Sequence, residues 1–307
     1  MSENRSVLVF GDDGLSWLSP GSPPRALHDE VAQAALRAEL ARRDHRVIFA
    51  APGGDIRLLE TDVAPEERRH LESSLPFMLE ESFTEDIETL HFARRLLRRD
   101  RCAVAVVARN TMDAWQEALG DFASHVPWIP EPLLLPWQEG EWTVVFDGTS
   151  VLLRFADNGG TRIEQSLLPV LLDGLAKEGL PQRVVVYGDD EAAERACFGE
   201  DLQGALNWRR GDFGAALRLA GDEARIDLRQ GDYAPQLPYG RWWRQWRAVA
   251  VVAAVALGMH LLSGWLDIQR LEDQNLALRS EIERVYRGVN PRGAVVDAER
   301  QLQRQLA

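Results

Sequence analysis

The chain has 307 residues, a formal net charge of −13 and a sequence pI near 5.0. That length suits about one to three compact domains, and the acidic balance excludes chain-wide nucleic-acid binding, because a phosphate partner needs a basic face. The two cysteines, Cys102 and Cys197, lie far apart in apolar stretches, and the six histidines form no HExxH pattern. Both features point away from a metal site and toward reduced, buried thiols.

The chain opens with MSENRSVLVFGDDG, whose apolar run of about four residues is too short for a secretory signal and places the N-terminus in the cytoplasm. The segments SVLVF, RVIFAA, IRLLET, RCAVAVVA, WTVVF, SVLLRF and RVVVYG are short, apolar and bounded by Gly, Asp or Pro, and they read as strands. APEERRHLESSL, NTMDAWQEALGDFAS and LLPVLLDGLAKEG read as helices, with Asn110 and Thr111 offering capping oxygens before the second. Strands near Leu8 and again near Val145, with helices between, predict two similar α/β halves within a head of residues 1–240.

Between IRLLET and RCAVAVVA lies LEESFTEDIETL, which carries Glu80, Glu81, Glu85, Asp86 and Glu88. If the stretch is helical, Glu81, Glu85 and Glu88 share one face. Such a face either docks a basic partner or is simply solvated.

The composition changes abruptly near residue 240. RWWRQWR, 241–247, precedes AVAVVAAVALGMHLLSGWL, 248–266, which carries no formal charge. At a rise of about 1.5 Å per residue this stretch approaches the roughly 30 Å of a bilayer's hydrocarbon core. Trp242, Trp243 and Trp246 flank it on one side and Trp265 on the other, as interfacial belts do. Arg241, Arg244 and Arg247 before the span set the N-terminal side inside and the C-terminal side outside. The segment 241–266 is therefore read as a juxtamembrane flank and one transmembrane helix. From Arg241 onward ten arginines face seven acids, so the head is more acidic than the whole chain.

Ala250, Ala254 and Gly258 recur every four residues and form a small-residue ridge for helix packing. His260 lies deep in the apolar run, either facing a polar partner or tolerated there in its neutral form. Beyond the span, Ile268, Asn275 and Ile282 alternate with Leu271, Leu278 and Val285 in an a/d heptad seam, which predicts a coiled-coil-like helix over 267–290 and a homodimer. Pro291 and Gly293 stop it, and 291–307 read as the start of a further domain that continues beyond this sequence.

SLPFMLEESFTEDIETLHFA (74–93), VPWIPEPLLLPW (126–137) and ARIDLRQGDYAP (224–235) stand in that order before the Trp-flanked span. Together they resemble the L protein of the type II secretion system, the bitopic inner-membrane component. The resemblance implies an actin-like, RNase H-like duplicated cytoplasmic head, a single span and a periplasmic helix leading to a small ferredoxin-like domain. As partners it implies the N-terminal domain of the cytoplasmic secretion ATPase, the bitopic M protein and the polytopic F protein. The pilus M protein has a similar head without a span, so the span separates the two.

An actin-like fold raises the question of a nucleotide. VVFDGTSVLL supplies a second phosphate turn, with Asp147, Gly148 and Thr149 as its core. VLVFGDDGLSWL would be the first, yet Asp12 and Asp13 put negative charge where phosphates would lie. In the adenine turn, VVVYGDDEAAE, the second glycine is replaced by Asp189. Two of three pieces depart from the pattern, so the expectation is a scaffold with no catalytic residue, cofactor or metal, in which Asp147 makes a tight turn. A membrane-tethered actin-like ATPase, a pilus-assembly adaptor and a membrane sensor are the competing readings. No P-loop, GxSxG, CxxC or kinase signature favours them.

Overall fold

The computed structural model describes residues 4–11, 14–19, 24–27, 30–42, 45–64, 66–97, 100–221, 225–235 and 239–289. These fall into two units, Met1–Gln236 and Leu237–Ala307. In the first, β1 (Asn4–Gly11) turns back into β2 (Gly14–Leu18), which pairs with β3 (Arg25–Ala26). After α1 (Glu30–Leu40), β4 (His45–Ala51) joins β1 in parallel. An antiparallel sheet is inserted next. It consists of β5 (Ile56–Asp62), β6 (Leu90–Leu96) and β7 (Arg101–Ala108), with α2 (Leu71–Met78) between the first two. Then α3 (Arg109–Leu119) returns the chain to β8 (Trp128–Pro130), parallel to β4.

The second half repeats the plan. β9 (Glu141–Asp147), β10 (Ser150–Ala156) and β11 (Gly159–Glu164) form an antiparallel meander. α4 (Leu168–Glu178) leads to β12 (Arg183–Gly188), and α5 (Glu191–Arg195) and α6 (Glu200–Gln203) lead to β13 (Leu206–Arg210). Both β12 and β13 run parallel to β9, and α7 (Phe213–Leu217) closes the half. The sheet orders are β3-β2-β1-β4-β8 and β11-β10-β9-β12-β13, the same succession twice. This is the duplicated, actin-like α/β head expected from the sequence, with the β5-β7-β6 sheet inserted in its first half.

Period-two alternation explains why the strands read as continuous apolar runs. Successive side chains point to opposite faces, and here both faces are covered. Val47, Phe49 and Ala51 enter the core of the first half, while Ile48 and Ala50 enter a second core with Val145, Leu152 and Val185 from the other sheet. Val144, Val151, Leu153, Val184 and Val186 turn to a third core under α4. In β7, Ala103, Ala105 and Val107 face the first core, whereas Cys102, Val104 and Val106 pack beneath α2. Cys102 is fully buried, as its setting in the sequence led us to expect, whereas Cys197 is only half-buried.

The strands expected from the sequence all form, but helix starts move. Asn110 does not cap α3, which begins at Arg109 behind Ala108, and its Oδ1 accepts a local bond from the Thr111 amide. The region 64–75 resolves into a 3-10 turn, Glu67–Arg69, and α2, which runs on to Met78.

The last segment of the head, residues 225–235, is a strap laid across the first half. The Leu228 amide donates to the Trp128 carbonyl at 2.8 Å, and Asp227 Oδ1 accepts the Trp128 amide at 3.0 Å. The Gln230 side chain pairs with both backbone groups of Arg94, at 3.1 and 2.9 Å. The buried His91 Nε2 meets the Leu228 carbonyl at 2.7 Å, which requires Nε2 to carry the proton and donate. Tyr233 donates its hydroxyl to Asp113 at 2.8 Å and packs edge-on to His91. Burial and then the Asp113 hydrogen bond push the Tyr233 pKa up to about 12.

The second unit is described by one element, α8 (Tyr239–Val289), 51 residues long. Within it, Val249–Val285 has a stretch of mean hydropathy 2.0, long and apolar enough to cross a membrane.

Burial lowers the His91 pKa, against the raising effect of the Leu228 carbonyl, with smaller opposed effects from Arg109 and Asp232. The unfolded chain therefore takes up this proton at a higher pH than the native one. Stability from the neutral ring is complete above about pH 6.5 and is lost as the pH falls from there through the native pKa. Thermal unfolding between about pH 7 and pH 5 is expected to show a falling Tm that flattens in His91→Gln; an unchanged slope in the variant would contradict this assignment.

Candidate functional site

The second phosphate turn forms as a tight β-hairpin between β9 and β10. Gly148 holds φ +58°, the left-handed conformation that favours glycine, with open space around its Cα. Ser150 Oγ donates to the Asp147 carbonyl at 3.1 Å, and Thr149 uses its carbonyl to accept the Gln165 amide.

The Asp147 carboxylate is already engaged. Arg162 on β11 donates from Nη1 to Asp147 Oδ2 at 2.9 Å and to Ser150 Oγ at 2.6 Å. Its other edge reaches Glu131, with Nε to Oε2 at 2.9 Å and Nη2 to Oε1 at 2.5 Å. Glu131 is buried and also accepts the Gly53 amide at 3.3 Å. Burial works against the Arg162 charge, but the hydrogen bonds and charges of Glu131 and Asp147 outweigh it and raise its pKa. One guanidinium thus ties the hairpin to the connection between the two halves and, through Glu131, to the end of β4.

The adenine turn is filled as well. At Gly188 a Cβ would lie 2.0 Å from Glu194 Oε2, so glycine is required by the approach of a carboxylate. Glu194 Oε1 accepts the amides of Asp189 and Asp190 at 2.9 and 3.1 Å, and its Oε2 accepts Trp208 Nε1 at 2.6 Å. Asp189, singled out in the sequence as the obstructing side chain, is exposed. The obstruction comes from Glu194, six residues beyond the glycine. Asp190 caps α5 by accepting from Ala192 and Ala193. Asp12 and Asp13 of the first turn lie outside the described residues.

Contacts also join the inserted sheet to the β10–β11 turn of the second half, at the end of β10 away from the hairpin. Asn158 donates to Glu60 at 2.8 Å and accepts from Arg95 at 2.5 Å, and Arg95 lies 3.5 Å from Asp157. The residues here do not fit a nucleotide. A carboxylate fills one turn, an internal arginine holds the aspartate of another, and no metal-ligating cluster of three occurs among the described residues. Sequence reasoning had no signal for Arg162 or Glu194, because their partners are 15 and 31, or 5 and 14, residues away.

The acidic stretch is not one helix, so the shared face expected for Glu81, Glu85 and Glu88 does not form. α2 ends at Met78, and two 3-10 turns follow, Glu80–Ser82 and Ile87–Thr89, separated by extended Phe83. The Asp86 carboxylate, which caps the second turn by accepting the Glu88 amide at 3.0 Å, starts a separate turn there. All five acids are nevertheless exposed. Glu85 forms a forked pair with Arg57 at 2.9 and 3.2 Å, and its own amide, followed by Arg57, lowers its carboxyl pKa. Phe77 and Met78 are exposed beside them.

On α8, Ala250, Ala254 and Gly258 are exposed, and a Cβ on Gly258 would meet nothing. Ile268, Leu271, Asn275, Leu278, Ile282 and Val285 are exposed too, an apolar seam with one polar residue. The side chains of Trp242 and Trp243 and all of 291–307 lie outside the described residues.

Replacing Arg162 by Ala leaves the buried Glu131 carboxylate without its cation and is expected to cost about 3–5 kcal/mol in denaturant unfolding. Asp147→Ala removes only the solvent-facing limb and should cost at most about 1 kcal/mol. Equal costs would mean that the clasp does not centre on Glu131.

The family model for type II secretion system protein L matches residues 21–236. The chain is 31% identical over 283 residues to the type II secretion system protein L of Dickeya chrysanthemi, covering 89% of this chain and 66% of that protein. It is 30% identical over 306 residues to that of Pectobacterium carotovorum subsp. carotovorum, covering 97% and 69%. The chain thus spans about two thirds of the length of these relatives. Among solved structures it is similar to the cytoplasmic domain of EpsL, an inner membrane component of the type II secretion system of Vibrio cholerae. That likeness has a TM-score of 0.55 at 21% identity, covering 75% of this chain and 99% of that one. The duplicated head, the matched family model and these relatives agree: the chain belongs to the type II secretion system protein L family.

Proposed function

We propose that this protein is a non-enzymatic scaffold of the bacterial inner membrane that recruits the cytoplasmic secretion ATPase to the type II secretion machine. The observation that carries the reading is the exposed acidic stretch on the inserted sheet, Glu80 to Glu88, on a head whose nucleotide turns are filled by Glu194 and Arg162. Glu80, Glu81, Glu85, Asp86 and Glu88 form the docking face for basic residues of the ATPase N-terminal domain. Fixed charges of this kind mainly raise association rate and select the partner. The apolar part of α8 crosses the membrane with the head in the cytoplasm. Its ridge of Ala250, Ala254 and Gly258 packs against another span, that of the M protein or of a second copy. The seam from Ile268 to Val285 pairs two copies on the periplasmic side, with Asn275 setting register. The F protein completes the membrane platform.

Calorimetry of the ATPase N-terminal domain with this chain is expected to show binding without nucleotide that weakens as salt rises. Glu80→Lys/Glu81→Lys/Glu88→Lys should reduce affinity by about tenfold or more at low salt. Binding that requires Mg-ATP would instead favour a working nucleotide site.

If the seam transmits force between head and periplasm, Leu271→Pro, which breaks the α8 ladder, should abolish secretion at normal protein level. Wild-type secretion by that variant would rule out a mechanical role for the helix.

A further inference from the structure

A cavity of about 630 Å³ opens where β5, the start of β6 and the first turn of α3 meet. Leu90, Val106 and Ala108 give it an apolar floor, and Phe83 walls one side. Four charged side chains line it, and three of them are already neutralised. Arg57 is forked onto Glu85 and lies over the Phe83 ring, 5.3 Å from its centroid. Arg109 pairs with Asp232 at 2.8 Å. The fourth, Asp55, has no cation or hydrogen-bond donor facing its carboxylate among the described residues. Asp55 stays open to solvent, yet burial raises its carboxyl pKa, so its charge sits in a poorer environment than water.

A guest suited to this cavity must bring one positive charge to Asp55 and apolar surface to the floor. An anion gains little here, because both arginines are already paired. The volume exceeds that of one side chain and falls within the range of small-ligand and peptide pockets. Long basic side chains combine the two requirements, laying an apolar stem on the floor and a charged head at the rim. Glu85 and Thr89 on the cavity wall belong to the acidic stretch, so a segment lying along that stretch reaches the mouth directly.

We propose that this cavity is the anchor point of the docking face: it receives an arginine or lysine side chain, with its apolar neighbour, from the protein partner. The inference rests on the recruitment reading above and adds the pocket that gives the contact its specificity. Surface pairs steer the encounter and are screened by salt, whereas a pair closed off in a cavity holds the complex and resists screening.

The test uses the whole chain in detergent micelles, with the secretion ATPase N-terminal domain as titrant. Asp55→Asn is compared with Glu81→Gln, an equal charge change outside the cavity. Asp55→Asn is expected to weaken binding by about tenfold, with the loss persisting at high salt, while Glu81→Gln costs about twofold and its effect vanishes with salt. Equal effects of the two variants on intact wild-type binding would overturn the pocket and leave recruitment standing. No wild-type binding would overturn recruitment. The pocket is then decided by titrating acetyl-leucyl-argininamide and inorganic phosphate separately and following the amide resonances of Gly54 and Asp55. Saturable shifts from the dipeptide, lost in Asp55→Asn, support it. Shifts from phosphate alone, or from neither probe, overturn it. An unchanged Tm in Asp55→Asn confirms that the variant is folded.

Discussion

The head depends on the connection between its halves, residues 126–137. Its Trp128 enters the core of the first half, and Ile129 and Leu133 to Leu135 enter the core shared by both sheets. The fully buried Arg154 of β10 donates to the Leu133 and Leu135 carbonyls at 3.2 and 2.6 Å and to the Asp157 carbonyl at 2.8 Å. A buried guanidinium is costly unless its donors are satisfied, and backbone carbonyls of the connection satisfy several of them here. Arg225, the first residue of the strap, adds a bond to the Leu133 carbonyl at 2.6 Å. A linker that would otherwise be a hinge is thereby held from both sides.

The same connection supplies Glu131, and with it the fate of the phosphate turn. In an open nucleotide site, an aspartate at the hairpin and free backbone amides at the adenine turn would await a ligand. In this head an arginine from β11 holds that aspartate, and a glutamate from α5 accepts from those amides. The hairpin and the glycine approach serve internal contacts: Arg162 ties the hairpin to the connection at Glu131, and Glu194 satisfies two amides and an indole within the second half.

The three segments that carry the family resemblance have distinct physical jobs. The middle one is the connection. The last is the strap, which uses Asp227, Leu228 and Gln230 to dock onto β8 and β6 shortly before the long apolar helix begins in the sequence. The first bends from α2 into β6 and leaves its acids facing solvent beside a cavity whose charges are incompletely paired. Two of the three serve the integrity of the head, and the first leaves its five acids exposed.

Local pattern in the sequence was enough for the strands and the long apolar helix, because each depends on a repeat of two or on a sustained apolar run along one chain. It raised doubt about the nucleotide site through charge and bulk at Asp12, Asp13 and Asp189, of which Asp189 proves exposed and the other two lie outside the described residues. What fills that site was not legible. Arg162 and Glu194 are ordinary charged residues in sequence, and they acquire roles only when β11 comes beside β9 and β10, and when α5 folds back over the end of β12. The acidic stretch erred in the other direction, since spacing of four and three fits a helix, whereas two short turns form there and Asp86 caps the second. Periodicity is written into consecutive residues. Ion pairs, filled turns and cavities arise from residues that only long-range packing brings together, and those were decided by the tertiary structure alone.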